Sequence, residues 1–107
     1  MNDKELLEMA AKAGGVKLAY GRDVTKIHPS SVHYLTSPIW NPLTDDRDAL
    51  RLAVMLEITV EHADQTAWAY GSFGFDFNVD ERYGNDPCAA TRRAITRYAA
   101  EVGLRIK

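Results

Sequence analysis

The sequence predicts an α+β fold: a mainly antiparallel sheet of three to five strands packed with three α-helices, an αβα sandwich-like arrangement. Three observations carry that reading. Three segments repeat apolar residues every three or four positions and begin at capping residues. One segment, Phe73 to Asp80, alternates aromatic or aliphatic with polar residues at every second position. The chain has 107 residues and is 46% hydrophobic, which suits one core and is too short for two, so a single domain is expected.

The first helix is expected from about Asp3 to Ala13, with Leu6, Leu7, Ala10 and Ala13 on one stripe. Asn2 or Asp3 supplies its cap, and Gly14 or Gly15 its left-handed stop. Val16 to Tyr20 alternates as a half-buried strand, and Ser31 to Leu35 reads as a second short one. Gly21 to Ser30 between them is polar and rich in turn formers.

Ser37-Pro38-Ile39-Trp40-Asn41-Pro42 cannot be helical, because each proline pushes its predecessor towards an extended conformation. A helix follows at once. Thr44 or Asp45 is its cap, and Asp45, Asp46 and Asp48 lie where negative charge offsets the helix dipole. From Ala49 to Leu56 the only charge is Arg51, so this helix is expected to be largely buried.

Ile58 and Val60, then Trp68 and Tyr70, alternate on either side of a turn near His62 to Gln65, as in a hairpin. Phe73, Phe75, Phe77 and Val79 form the apolar side of the next strand. Tyr83 to Pro87 breaks the sheet and starts the last helix, with Asp86 as cap and Pro87 in its first turn. Ala90, Ala94, Tyr98 and Val102 are its buried stripe, flanked by Ile95 and Ala99, and Gly103 is its expected stop.

Charge is uneven along a chain whose net is −2. Residues 57 to 81 hold six acids and no lysine or arginine, whereas residues 82 to 107 hold six bases against two acids. An acidic strand region therefore precedes a basic last helix, without the global positive charge that draws a protein to nucleic acid. No apolar run approaches the roughly 20 residues that span a bilayer. The single cysteine, Cys88, cannot form an internal disulfide, and the charged start lacks the pattern of a signal peptide. A cytoplasmic location in a bacterial host and no membrane association are the expectation.

The segments NDKELLEMAAKAGG, WNPLTDDRDALRLAVML and DPCAATRRAITRYAAEVG, in this order and spacing, resemble the small bacteriophage and prophage proteins of the phage ABA sandwich domain family. The resemblance is close in the helices and weaker from Val16 to Ile39 and from Ile58 to Tyr83. Arg47, Met55 and Cys88 stand where that family usually has glycine, lysine and tyrosine, so no role passes to them. The resemblance implies a sheet with helices packed on it, a phage or prophage origin and no assigned chemistry.

No catalytic residue, cofactor or metal site is expected. Asp45, Asp46 and Asp48 lack the calcium-loop pattern and sit where a helix start wants acids. His28, His33 and His62 have no zinc spacing, and one cysteine cannot complete a Cys/His site. Cys88 would resemble a thiol nucleophile if a histidine lay beside it, but its alanine-rich neighbourhood favours a small packing residue. Arg92, Arg93 and Arg97 are the best binding surface for phosphates; the competing explanation pairs Arg97 with Glu101 and Arg93 with Asp45, Asp46 or the acidic strands. Trp40, with Trp68 and the phenylalanines, suits a base-stacking platform in its residue types, though the acidic surroundings oppose that use. Trp40 itself either covers the edge of the core or faces a partner. The expectation is a protein that binds a host or phage protein, through the Trp40 loop or its charged surfaces. A nucleic-acid factor using the basic helix and a small enzyme without recognisable motif are the alternatives.

Overall fold

The computed structural model describes residues 1–15, 40–71 and 77–106. The expected strands at 16–20 and 31–35, the loop at 21–30, Phe73, Phe75, His28 and His33 lie outside these residues. Among the described residues the order is α1 (Asp3–Gly14), α2 (Asp46–Met55), β1 (Ile58–Ala63), β2 (Thr66–Gly71), β3 (Asn78–Arg82) and α3 (Pro87–Arg105). The strands form one antiparallel sheet in the order β1-β2-β3. This is the α+β arrangement that the sequence predicts.

α1 begins with a reciprocal cap: the Asn2 side chain accepts from the Glu5 backbone N–H, and Glu5 reaches back to the Asn2 N–H. Gly15 ends it at φ 70°, a left-handed conformation that costs glycine nothing. Asp3 meets Arg93, Met9 faces Gly103, and Lys12 donates to the Ile106 carbonyl, so α1 and α3 lie side by side and run in the same direction. The Lys12 ammonium thereby serves one of the carbonyls left open at the end of α3. Gly103 is not the stop predicted for the last helix. It lies buried inside α3, where its missing side chain admits the α1 backbone, and the helix continues to Arg105.

α2 is only half buried, which corrects the expectation from its apolar sequence. Asp48, Ala49, Leu52 and Ala53 face inwards, while Leu50, Val54 and Met55 are 64%, 67% and 59% exposed. A helix resting on other elements along one stripe turns the rest of its circumference to solvent, whatever residues occupy it.

β1 and β2 form a hairpin whose turn residues, Asp64 and Gln65, have φ of 52° and 56°. This is the left-handed pair that matches strand twist in a two-residue turn. Register places Val60 opposite Ala69 and Ala69 opposite Val79, so these side chains share the face that packs against α3. Ala67 and Ala69 are fully buried there, whereas Trp68 and Tyr70 project to the other face. The larger residues of β2 thus point away from the helices, opposite to a reading by hydrophobicity alone. Space decides it: the Tyr98 ring of α3 lies against Gly71 and stacks on Phe77, with ring centroids 4.7 Å apart. The core joins Leu7, Ala10, Trp40, Leu52, Ile58, Val79, Ile95 and Tyr98.

Candidate partner-binding surface

The segment from Trp40 to Asp48 is held by its own polar groups. Asn41 Oδ1 accepts from the Leu43 N–H at 2.9 Å, and the Asn41 carbonyl accepts from the N–H groups of Thr44 and Asp45. The buried Asp48 carboxylate turns back to accept from the Asn41 N–H at 2.9 Å. Asp45 caps α2 by accepting from the Arg47 N–H at 2.8 Å. Asp46 pairs with Arg92 at 2.6 Å. The three aspartates therefore have three separate structural partners, and no group of three metal-ligating side chains occurs among the described residues. Trp40 is 6% exposed and belongs to the core, so its ring packs inwards and offers little contact surface.

The arginine row of α3 is met by carboxylates on three elements. Arg92 donates from Nε to the Leu43 carbonyl at 2.9 Å as well as to Asp46, tying the loop before α2 to α3. Arg93 reaches Asp3 at 3.2 Å, with Glu81 at 3.9 Å on its other side. Arg97 binds the Glu81 carboxylate and, at 3.0 Å, the Asp80 carbonyl. The acidic strand does answer the basic helix through Glu81, so Arg97 does not pair with Glu101 of its own helix, and Arg93 meets Asp3 and Glu81, not Asp45 or Asp46. Glu101 pairs instead with Arg105, which also covers the Phe77 ring at 4.4 Å. A cleft of about 420 Å³ beside these residues is lined by Arg93 and Arg97 and, equally, by Glu81 and Glu101. Its charges cancel, which removes most of the pull on a phosphate.

The outer sheet face carries Trp68 between Glu61 and Asp80 in register, and Tyr70 donates to Glu61 at 3.1 Å. That hydrogen bond, then the Glu61 charge, raises the Tyr70 phenol above its usual value of 10.0. An aromatic pair flanked by carboxylates repels a nucleic-acid backbone.

A different surface emerges beside α2. A groove of about 470 Å³ runs between α2, β1 and the start of α3, with Ala49, Leu50, Ala53, Val60 and Ile95 as its apolar lining. His62 and Cys88 also line it. His62 Nδ1 is 2.5 Å from the Tyr83 hydroxyl, and Cys88 is exposed in the first turn of α3. The structure thus brings a histidine and the cysteine to one groove, which their sequence separation conceals; no hydrogen bond joins them among the described residues. Leu50 connects the groove to the exposed ridge of Val54 and Met55. The sequence does contain the signal for this ridge, an apolar circumference wider than one stripe on a ten-residue helix.

Comparisons with protein families, curated proteins and solved structures find no match to this chain. No described helix is long and apolar enough to cross a membrane.

Proposed function

We propose that this chain is a phage- or prophage-encoded accessory protein that acts in the bacterial cytoplasm by binding another protein, of host or phage. The observation that carries the reading is the exposed ridge of Leu50, Val54 and Met55 beside an apolar groove. Contiguous apolar surface of this kind marks interaction sites on small domains. Its phage origin rests on the resemblance of the three helical segments to the phage ABA sandwich domain family. The nucleic-acid alternative loses support from the carboxylates that already engage Arg92, Arg93 and Arg97.

The test is affinity capture from nuclease-treated bacterial lysate, followed by reconstitution of the complex from the two purified proteins. A complex that reforms supports the reading. Association that disappears with nuclease, or no complex from purified components, refutes it. Trp40→Ala is unsuited as a contact control, because removing a buried indole perturbs the core.

One observation favours a second reading as a thiol-dependent enzyme: Cys88 and His62 line the same groove. An imidazole acting on the thiol would make alkylation of Cys88 slower in His62→Ala across neutral pH. An unchanged alkylation rate removes that reading.

A further inference from the structure

We propose that the outward face of α2, with the groove beside it, docks an acidic amphipathic helix of a partner protein. The inference rests on the protein-binding reading and specifies the partner's chemistry.

Arg47, Leu50, Arg51, Val54 and Met55 are all exposed, and their spacing of three, four, seven and eight residues from Arg47 places them on one helical face. The inner face of the same helix buries Leu52 with Asp48, Ala49 and Ala53. Core packing accounts for Leu52 but not for the three further large apolar side chains, Leu50, Val54 and Met55, left outside. α2 therefore carries more apolar bulk outside than the fold uses.

The groove extends this face with Ala49, Ala53, Val60 and Ile95 and leaves room beside the Leu50 side chain. Leu50 and Val54 are one turn apart and form an exposed ridge, with Leu50 also lining the groove, the kind of relief against which another helix packs. An amphipathic helix laid in a groove is a recurrent way of recognising a segment of a protein.

Charge selects the kind of helix. Arg47 and Arg51 stand one turn apart on the ridge, and neither guanidinium makes an ion pair or hydrogen bond among the described residues. The three acids at the start of the helix are already engaged: Asp45 caps α2, Asp46 holds Arg92, and Asp48 is buried on Asn41. An occupant with carboxylates flanking an apolar stripe satisfies both arginines, whereas a basic one meets like charge.

Two synthetic helices of about 18 residues, long enough for five turns, test this. They share one leucine stripe, flanked by glutamates in one and lysines in the other. Fluorescence anisotropy is expected to show the glutamate peptide binding about tenfold more tightly at low salt, the gap closing by about 0.5 M salt. Arg47→Glu with Arg51→Glu is expected to reverse the preference. Leu50→Asp, at an exposed position, is expected to abolish binding with the circular dichroism spectrum unchanged. The glutamate peptide should also slow alkylation of Cys88, the chain's one thiol, which lines the groove.

Equal binding of the two peptides, binding unaffected by Leu50→Asp, or no binding of either overturns the proposal. So does concentration-dependent dimerisation that Leu50→Asp suppresses, since a second copy would then be the occupant. If a partner is reconstituted from lysate while both peptides fail, the acidic-helix inference falls and the protein-binding reading stands. If no partner is reconstituted from lysate and neither peptide binds, both fall.

Discussion

Gly103 of α3 lies so close to the Met9 carbonyl of α1 that a Cβ at position 103 would overlap the oxygen. Two effects oppose each other in Gly103→Ala. Helix propensity favours alanine by about 1 kcal/mol, while forcing backbone from backbone costs roughly 1–3 kcal/mol, occasionally more. The obstacle is a carbonyl held within α1, which cannot rotate away as a side chain can, so the clash prevails. Urea denaturation is expected to show net destabilisation, with little change for the exposed Leu104→Ala. A Gly103→Ala protein as stable as the parent refutes the close approach.

Gly71 and Tyr98 form a second tight contact, and here the obstacle is partly a hydroxyl. Gly71→Ala is expected to destabilise by about 1–3 kcal/mol. Tyr98→Phe removes the atom nearest the new Cβ, but the ring carbon behind it remains close, so the double variant recovers part of the loss. A double-mutant cycle measures this coupling. Strict additivity would show that the two residues do not meet.

The same phenol sets a pH dependence. Tyr98 is 1% exposed, and its hydroxyl has no hydrogen-bond partner among the described residues. Burial raises its pKa above the usual 10.0, against an opposing effect of the Arg105 charge. The unfolded chain therefore releases this proton first. The associated stability is complete below pH 10.0 and is lost as pH rises through the folded-state value. Tyr98→Phe should flatten this alkaline loss and leave neutral-pH stability equal or up to about 1 kcal/mol higher, since an unsatisfied hydroxyl is removed. Chemical denaturation from pH 8 to 11, roughly the window around a tyrosine's ordinary titration, checks both.

Arg92 holds the loop before α2, and its side chain is 17% exposed against 77% for Asp46. Arg92→Ala removes the hydrogen bond to the Leu43 carbonyl together with the ion pair, for a loss of roughly 1.5–3 kcal/mol. Asp46→Asn should cost less than about 1 kcal/mol, because its carboxylate is largely solvated. Thermal melts that rank the two variants the other way would place the constraint in the ion pair.

At the hairpin turn, Gln65 has φ of 56°, a conformation that disfavours most side chains. Gln65→Gly creates the Asp-Gly pair preferred by such turns and should stabilise by about 0.5–1 kcal/mol. The backbone bond from the Tyr83 N–H to the residue 65 carbonyl remains available. A lower melting temperature would contradict the turn assignment.

The helices and their starts were legible because their causes are local. Asn2, Asp45 and Asp86 cap through side chains two or three residues from the N–H groups they satisfy. Of the alternation expected from Phe73 to Asp80, Val79 lies in a strand and is buried, but that strand runs from Asn78 to Arg82 and leaves Phe77 just before it. The face each strand presents was less accessible. In β2, alternation separates Trp68 and Tyr70 from Ala67 and Ala69 without saying which pair faces inwards; cross-strand register and the Tyr98 ring reserve that side for Ala67, Ala69 and Gly71.

The candidate site follows the same division. Sequence alone identified the basic row of Arg92, Arg93 and Arg97 and the acidic strand region, because formal charge belongs to each residue. It could not reveal that Glu81, Asp3 and Asp46 approach those arginines from three other elements, or that Leu50, Val54 and Met55 would face outwards beside a groove. Capping and periodicity depend on neighbours a few residues apart and were determined by the sequence itself. Neutralisation and exposure depend on groups that only the packed chain brings together, so tertiary structure alone decided which charges are paired and which apolar side chains stay exposed.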